Sequence, residues 1–469
     1  MEKFFKLSER GTTVKIEMTA GITTFFAMVY ILMVNANMFA NPFGDGTNVL
    51  GVSYGAIYIA TAISAIVGTV LIGLLANLPL AQASGMGLNA FAVYTVCVGF
   101  GFTYANAMVM ILIDGVVFVL LTLTGLRKKI FEAIPVTVRS AISAGIGLFI
   151  AFLGLQNAGI VVPDSSTGVT LGSFNLMGAK TWGDIMPMVV TIAAFFIIVI
   201  LAKKNVRGAV LWGILAGMGL YYVLGLTVPG FYANLGISMS SPFAAFGEFG
   251  TQALGKVFSE GFDFSAYAAA NGNVNLIFTI VATSLAFCMV DMFDTLGTLF
   301  AACDRGNLLE NDEIPNVNKA MMADALATTT GAICGTSTVT TFVESTAGVA
   351  EGGRTGLTSM FTAACFAIAM FFSPVAQLIP SCATAAALIY VGVLMMSALK
   401  RIDWIAPESA VPAFLTMAMM PFTYNISYGI AFGLLAYLVI SLFTGKAKEI
   451  KVWTWVITIL FALMLLLTH

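Results

Sequence analysis

Three acids and one carboxamide stand where an apolar chain should carry none. Asp291 and Asp294 lie three residues apart in Val290-Asp-Met-Phe-Asp-Thr-Leu-Gly-Thr298, within a run apolar enough for a membrane span. That spacing puts both acids on one helix face, with Thr298 one turn beyond Asp294. Glu344 ends a β-branched run, and Asn89 follows Gly85-Met-Gly87-Leu. An ionised carboxylate at such depth costs several kcal/mol unless it is paired, so Glu344 favours holding a proton, while of the two aspartates at least one reads as functional and the other as a structural hydrogen-bond acceptor. A carboxyl that gains and loses a proton beside a cavity is a natural coupling site. Histidine cannot share that work, because the only His is His469. A histidine base, a haem or zinc histidine and a histidine relay are thereby excluded. The six cysteines, at 97, 288, 303, 334, 365 and 382, include no CxxC pair. They read as buried thiols, with no cofactor and no metal expected. Asp114 and Asp324 also fall inside apolar runs, open between helix packing and transport. Asp304-Arg305 and Glu310-Asn-Asp312-Glu313 read as an ordinary loop.

The elements that must hold these groups are broken ones. In Leu78-Pro79-Leu-Ala-Gln-Ala-Ser84-Gly85-Met-Gly87-Leu-Asn89, the proline and two glycines forbid a regular helix up to Gly87. About ten apolar residues follow, half of what a span requires. Asn89 therefore stands at the start of a half-helix, where free backbone N–H groups face a cavity. The alternative is a helix cap or an inter-helix hydrogen bond. Residues 336–343 are β-branched and alternate, which predicts a short extended strand. Glu344 then opens a second half-helix; its alternative role is a structural carboxylate paired with a neighbouring hydroxyl or Arg354. Broken backbone at membrane depth must be buried in protein or line a cavity.

The rest of the chain is apolar end to end. Of 469 residues, 59% are hydrophobic and 9% charged, against roughly 25% charged in soluble proteins. Apolar runs fall at 20–41, 55–77, 82–99, 104–126, 135–156, 183–202, 208–227, 276–301, 316–334, 344–352, 355–378, 382–399, 409–424 and 427–444, with a last stretch at 452–468. The first ten residues show no small-residue cleavage site of a signal peptide. Basic clusters lie at Lys3/Lys6/Arg10/Lys15, Arg127-Lys128-Lys129, Lys203-Lys204 with Arg207, Lys400-Arg401 and Lys446/Lys448/Lys451. The positive-inside rule puts all of them, and the N-terminus, in the cytoplasm. Fourteen spans satisfy this as far as Lys446; 452–468 is either a fifteenth span or a helix lying against the bundle.

Two halves are visible. Pro135, Ala141 and Gly147 line up with Pro380, Ala386 and Gly392 at an offset of 245 residues, with Ile134 and Ile379 before the prolines. Seven spans per half give opposite orientations, and Gly-interrupted segments in corresponding places point to a midplane binding site. The expected layout is a cytoplasmic segment (1–19), a first repeat (20–227), an extracellular loop (228–275), a second repeat (276–445) and a C-terminal hydrophobic segment (446–469).

Gly85-Met-Gly-Leu-Asn-Ala-Phe91, Asp291-Met-Phe-Asp-Thr-Leu-Gly-Thr-Leu299, Gly335-Thr-Ser-Thr-Val-Thr-Thr-Phe-Val-Glu-Ser345 and Gly352-Gly-Arg-Thr-Gly356 together resemble the AzgA-like adenine/guanine/hypoxanthine permeases. These belong to the nucleobase:cation symporter-2 group. Gly21-Ile-Thr-Thr-Phe25 fits as well, and the resemblance covers nearly the whole chain. It implies an all-α polytopic membrane protein with the fold of the bacterial uracil permease. That fold has about 14 helices in a 7+7 inverted repeat, core and gate domains, and two short crossing strands in the third and tenth spans. Carried onto this sequence, the family's essential Asn falls on Asn89 and its tenth-span Glu on Glu344. Its eighth-span acid falls on Asp294, with Asp291 as the second register. Backbone around Gly87 and Val343 would contact a base, Phe342 would stack on it, and Thr298 would face the same site. The sequence departs from the family at Ser84 and Ala36, where proline is common, and at Phe342, which is often Tyr.

The resemblance implies proton-coupled uptake of a purine nucleobase, guanine or hypoxanthine ahead of adenine, by a transporter and not an enzyme. Neutralising a carboxylate at Glu344, Asp294 or Asp291 would let the core domain slide past the gate domain. The expected partners are a purine base, a proton ahead of sodium, the cell-membrane bilayer and a second copy of the chain. A net charge of −2 with no basic stripe gives no footing for nucleic acid. An anion carrier of the same fold would want a basic residue at a half-helix start, where this chain has Asn89 and Glu344. An intramembrane aspartyl protease would want a Gly-x-Gly-Asp motif, whereas Asn89 follows Gly-Met-Gly-Leu.

Overall fold

A computed structural model describes residues 2–124, 134–178, 180–235, 241–305, 308 and 314–467. The basic cluster Arg127–Lys129, the acidic run Glu310–Glu313 and His469 lie outside the described residues. The chain is a helical polytopic membrane protein. Among the described residues nine helices are long and apolar enough to cross a bilayer, and three apolar ones are shorter.

The first span is two helices, α1 (Val14–Met28) and α2 (Tyr30–Ala40), broken at Val29. Helix α3 (Tyr54–Leu75) starts on Ser53, whose hydroxyl accepts the Ala56 N–H at 3.2 Å, a serine N-cap. Strand β1 (Gln82–Ser84) leads into α4 (Met86–Ala90), which continues as a π-helical stretch, Phe91–Gly99. Then come α5 (Tyr104–Thr124) and α6 (Val136–Asn157), an outer hairpin of β2 (Val161–Asp164) and β3 (Gly168–Leu171), α7 (Trp182–Lys203) and α8 (Ala209–Gly225).

In the second half come α9 (Asn273–Arg305) and α10 (Val317–Cys334), β4 (Val339–Thr341), α11 (Ser345–Ala350) and α12 (Gly356–Ala369). They are followed by α13 (Ser381–Met395), α14 (Pro407–Phe422), α15 (Ile426–Phe443) and α16 (Val452–Leu467). Pro135 and Pro380 occupy the N-caps of α6 and α13, where a missing N–H costs no helix bond.

The helices pack in two groups. In one, α3 lies against α2, α10 and α12, α5 against α9 and α10, and α1 against α11 and α12. In the other, α6 lies against α13 and α14, α7 against α8 and α13, and α14 against α15. Small residues allow the closest crossings. A Cβ on Gly147 would stand 2.6 Å from Met395 Cβ, and one on Gly154 would stand 2.9 Å from the Ala385 carbonyl oxygen. The groups meet through α2 and α13, where Asn37 Nδ2 donates to Thr384 Oγ1 at 3.0 Å and Asn41 Nδ2 to Ser381 Oγ at 3.0 Å. They meet again at an ion pair between Arg207 and Glu351.

Residues 242–259 are not a plain loop. Their short helices fold back on α3 and α10, with Ser53 Oγ donating to Glu248 Oε2 at 2.7 Å and Gly255 N–H to the Ile333 carbonyl at 2.8 Å. Helix α16 lies along α15 and α9, burying Ile457, Phe461 and Met464 and leaving Val452, Ile459 and Leu466 outside.

Candidate functional site

The two broken segments meet. Strands β1 and β4 pair antiparallel with Gln82 opposite Thr341, Ala83 opposite Thr340 and Ser84 opposite Val339. The ladder is extended by Gly85 N–H to the Thr338 carbonyl at 2.9 Å and Phe342 N–H to the Ala81 carbonyl at 3.0 Å. All six strand residues are buried. Backbone groups that no helix satisfies at this depth are satisfied by each other, which is what an apolar solvent demands. Two half-helices leave the pair, α4 from Gly85 and α11 from Glu344.

Asn89 sits in the first turn of α4 and is fully buried. Gly85 is the N-cap, so Asn89 caps nothing. Neither atom of its carboxamide has a hydrogen-bond partner among the described residues. A buried amide left so costs about 1–3 kcal/mol, and a cost of that kind needs an explanation such as a ligand. Two residues earlier, Gly87 is half-buried. A Cβ there would lie 2.5 Å from Ile146 Cγ2 of α6, so only glycine lets the half-helix approach the second group so closely.

Glu344 is the N-cap of α11 but makes no side-chain cap bond. Its Oε1 accepts the Tyr30 hydroxyl of α2 at 2.5 Å. Arg354, the charged alternative, is turned elsewhere: its Nη1 donates to the Val349 and Gly353 carbonyls at 2.7 and 2.8 Å. Asp294 Oδ2 accepts the Thr340 hydroxyl at 3.3 Å, which ties α9 to β4, and it lies within Coulombic range of Glu344 and Asp324.

Exposure sorts the remaining candidates. Asp294 and Glu344 are half-buried, while Val343 is 40% exposed and Gly297 is also exposed. Asp291, Thr298 and Phe342 are buried. Asp291 thus sits behind Asp294 on α9. Asp324, on α10, accepts from Thr295 Oγ1 at 2.7 Å and from Gln82 Nε2 at 3.3 Å; it braces β1 against α9. Asp114 is buried in α5.

Three contributors escaped the sequence reading. Tyr30 was hidden in an apolar run, and its partner lies 314 residues away. Gln82 also donates to Thr341 Oγ1 at 3.2 Å, a cross-strand bond that required the register. Glu17 is fully buried and accepts five hydrogen bonds, from the Arg354, Thr355 and Thr358 N–H groups and the Thr355 and Thr358 hydroxyls. It pins α1 to the start of α12, where a carboxylate also suits the helix dipole.

Comparison with known proteins follows the same lines. The profile described as Permease family (Xan_ur_permease) matches residues 15–432. The chain is 39% identical to the guanine/hypoxanthine permease PbuO of Bacillus subtilis, covering 98% of this chain and 99% of that one. It is 36% identical to the adenine permease AdeQ of Escherichia coli, covering 100% and 96%. Among solved structures, the transmembrane domain of the cyanobacterial bicarbonate transporter BicA superposes with a TM-score of 0.56 at 17% identity, covering 90% of this chain and 95% of that one. At that identity the likeness is one of fold alone.

Proposed function

The chain belongs to the xanthine/uracil permease family, and from that we propose that it imports purine nucleobases, guanine and hypoxanthine first and adenine also, each with a proton. The observation that carries the reading is Asn89: a fully buried carboxamide with neither atom partnered among the described residues, two residues from the half-buried Gly87 backbone. A purine edge presents both donors and acceptors, and a carboxamide offers one of each. Glu344 and Asp294 would take the other side of the ring, with Val343 backbone, Phe342 and Thr298 around it. The names of PbuO and AdeQ support the purine.

Several features support the finer architecture. Counting α1–α2 as one span, and each strand with its half-helix as one, gives fourteen as far as α15. Pro135 and Pro380 hold equivalent N-caps, which favours the 7+7 inverted repeat. The group around α3 and α10 would be the core domain and the group around α6 and α13 the gate domain. Among the described residues the two are joined by few side-chain bonds, as an elevator movement requires. With the basic clusters inside, the N-terminus is cytoplasmic, residues 228–275 are extracellular, and the protein sits in the cell membrane. A proton, in preference to sodium, would ride on Glu344 or Asp294, with Asp291 behind them. An anion carrier would need a cation at the half-helix starts, where Asn89 and Glu344 stand.

The test is radiolabelled hypoxanthine uptake with competing bases, repeated with an uncoupler and without sodium. Competition by guanine, sensitivity to the uncoupler and indifference to sodium are expected. Competition by uracil but not by purines would sink the reading.

A further inference from the structure

Tyr30 opens α2 directly after the break at Val29. There the Leu32 N–H donates to the Val29 carbonyl at 3.1 Å, a tightened turn that re-aims the next side chain. Tyr30 is fully buried, and its hydroxyl reaches Glu344. Five residues on, Asn35 Nδ2 donates to Thr336 Oγ1 at 2.9 Å and to Thr61 Oγ1 at 2.7 Å. One helix therefore grips the broken segment on both sides of β4, at Thr336 before it and at Glu344 after it.

Among the described residues, Tyr30 on α2, Tyr390 on α13 and Asp294 on α9 lie within electrostatic reach of Glu344. Of these, Tyr30 holds the carboxyl by a direct hydrogen bond. A phenol hydroxyl both donates and accepts. It can donate to a carboxylate and accept from a carboxylic acid, so Glu344 keeps a partner in either state. While it donates, it favours the ionised form and fixes the carboxyl in one orientation.

We propose that Tyr30 is the positioning residue for Glu344, holding its carboxyl in one orientation and setting the pH range over which it exchanges its proton. The inference rests on the reading of Glu344 as a coupling carboxyl. It is tested by hypoxanthine uptake into proteoliposomes against external pH for the wild type, Tyr30→Phe, Glu344→Gln and the double variant. Losing a charge-assisted donor corresponds to about one pH unit. Tyr30→Phe should therefore move the alkaline limb of the profile upward by about that much and raise KM. Glu344→Gln should flatten the profile, and Tyr30→Phe should add nothing to it there. 3-Fluorotyrosine at position 30, a stronger donor of nearly the same size, should move the limb the other way, and it keeps the test open if the Phe variant does not reach the membrane. An unchanged profile in the Tyr30 variants, with Glu344→Gln flattened, overturns the role of Tyr30 alone. A wild-type profile in Glu344→Gln overturns the reading of Glu344 itself.

Discussion

Gly147 and Gly392, 245 residues apart, face each other where α6 crosses α13. A Cβ on Gly147 would stand 2.9 Å from the Gly392 carbonyl oxygen, and a Cβ on Gly392 would press on the Gly147 carbonyl in turn. In the inverted repeat proposed above these are equivalent positions of the two halves, and their contact is the kind a two-fold axis produces.

That contact has no room for a side chain. Gly392→Val should destabilise by about 1–3 kcal/mol, the usual cost of overpacking, read as a lower melting temperature of the purified protein. Gly219→Ala is the control, because no atom lies within 4 Å of its added Cβ.

Asn89→Ala should separate binding from stability. Its amide has no partner to lose among the described residues, so the melting temperature should hold or rise. Losing one or two substrate hydrogen bonds should raise KM for hypoxanthine by about tenfold or more. A large fall in melting temperature with KM unchanged would mark Asn89 as structural.

Asp294→Asn keeps an acceptor for the Thr340 hydroxyl but removes a carboxyl proposed to carry the proton. Accumulation of hypoxanthine against a gradient should fall by about tenfold or more, while the variant reaches the membrane in normal amount. Counterflow exchange of labelled base across the same vesicles measures whether binding survives.

Glu17→Ala should do the opposite of Asn89→Ala. It strands buried N–H and hydroxyl donors at the start of α12, each costing about 1–3 kcal/mol if left unpaired. The melting temperature should drop and KM should stay. Glu17→Gln, which keeps a carbonyl oxygen in place, should recover part of the loss.

The breaks in the helical pattern were legible because Pro79, Gly85, Gly87 and the β-branched run before Glu344 are local signals, read without knowing any partner. The stretch at 452–468 was legible as a helix but not by its neighbours, since an apolar stretch does not say what it packs on. The same limit applies to Glu344. Its depth could be inferred, but Arg354, ten residues on, was as good a partner on paper as any hydroxyl. Tyr30 won because the turn at Val29 aims it there, and that is a tertiary fact. The π-helical stretch after Asn89 left no mark in its composition, which suits an ordinary helix equally well.

The pairing of β1 with β4 also has a consequence in time. Its two strands are made more than 250 residues apart. A ribosome adds about 5–20 residues per second, so the first strand waits on the order of ten seconds or more for its mate. During that interval its N–H and C=O groups have no sheet to join, and lipid offers them nothing. The nascent first half must therefore be sheltered, by water or by the insertion machinery, until Thr341 emerges and closes the ladder.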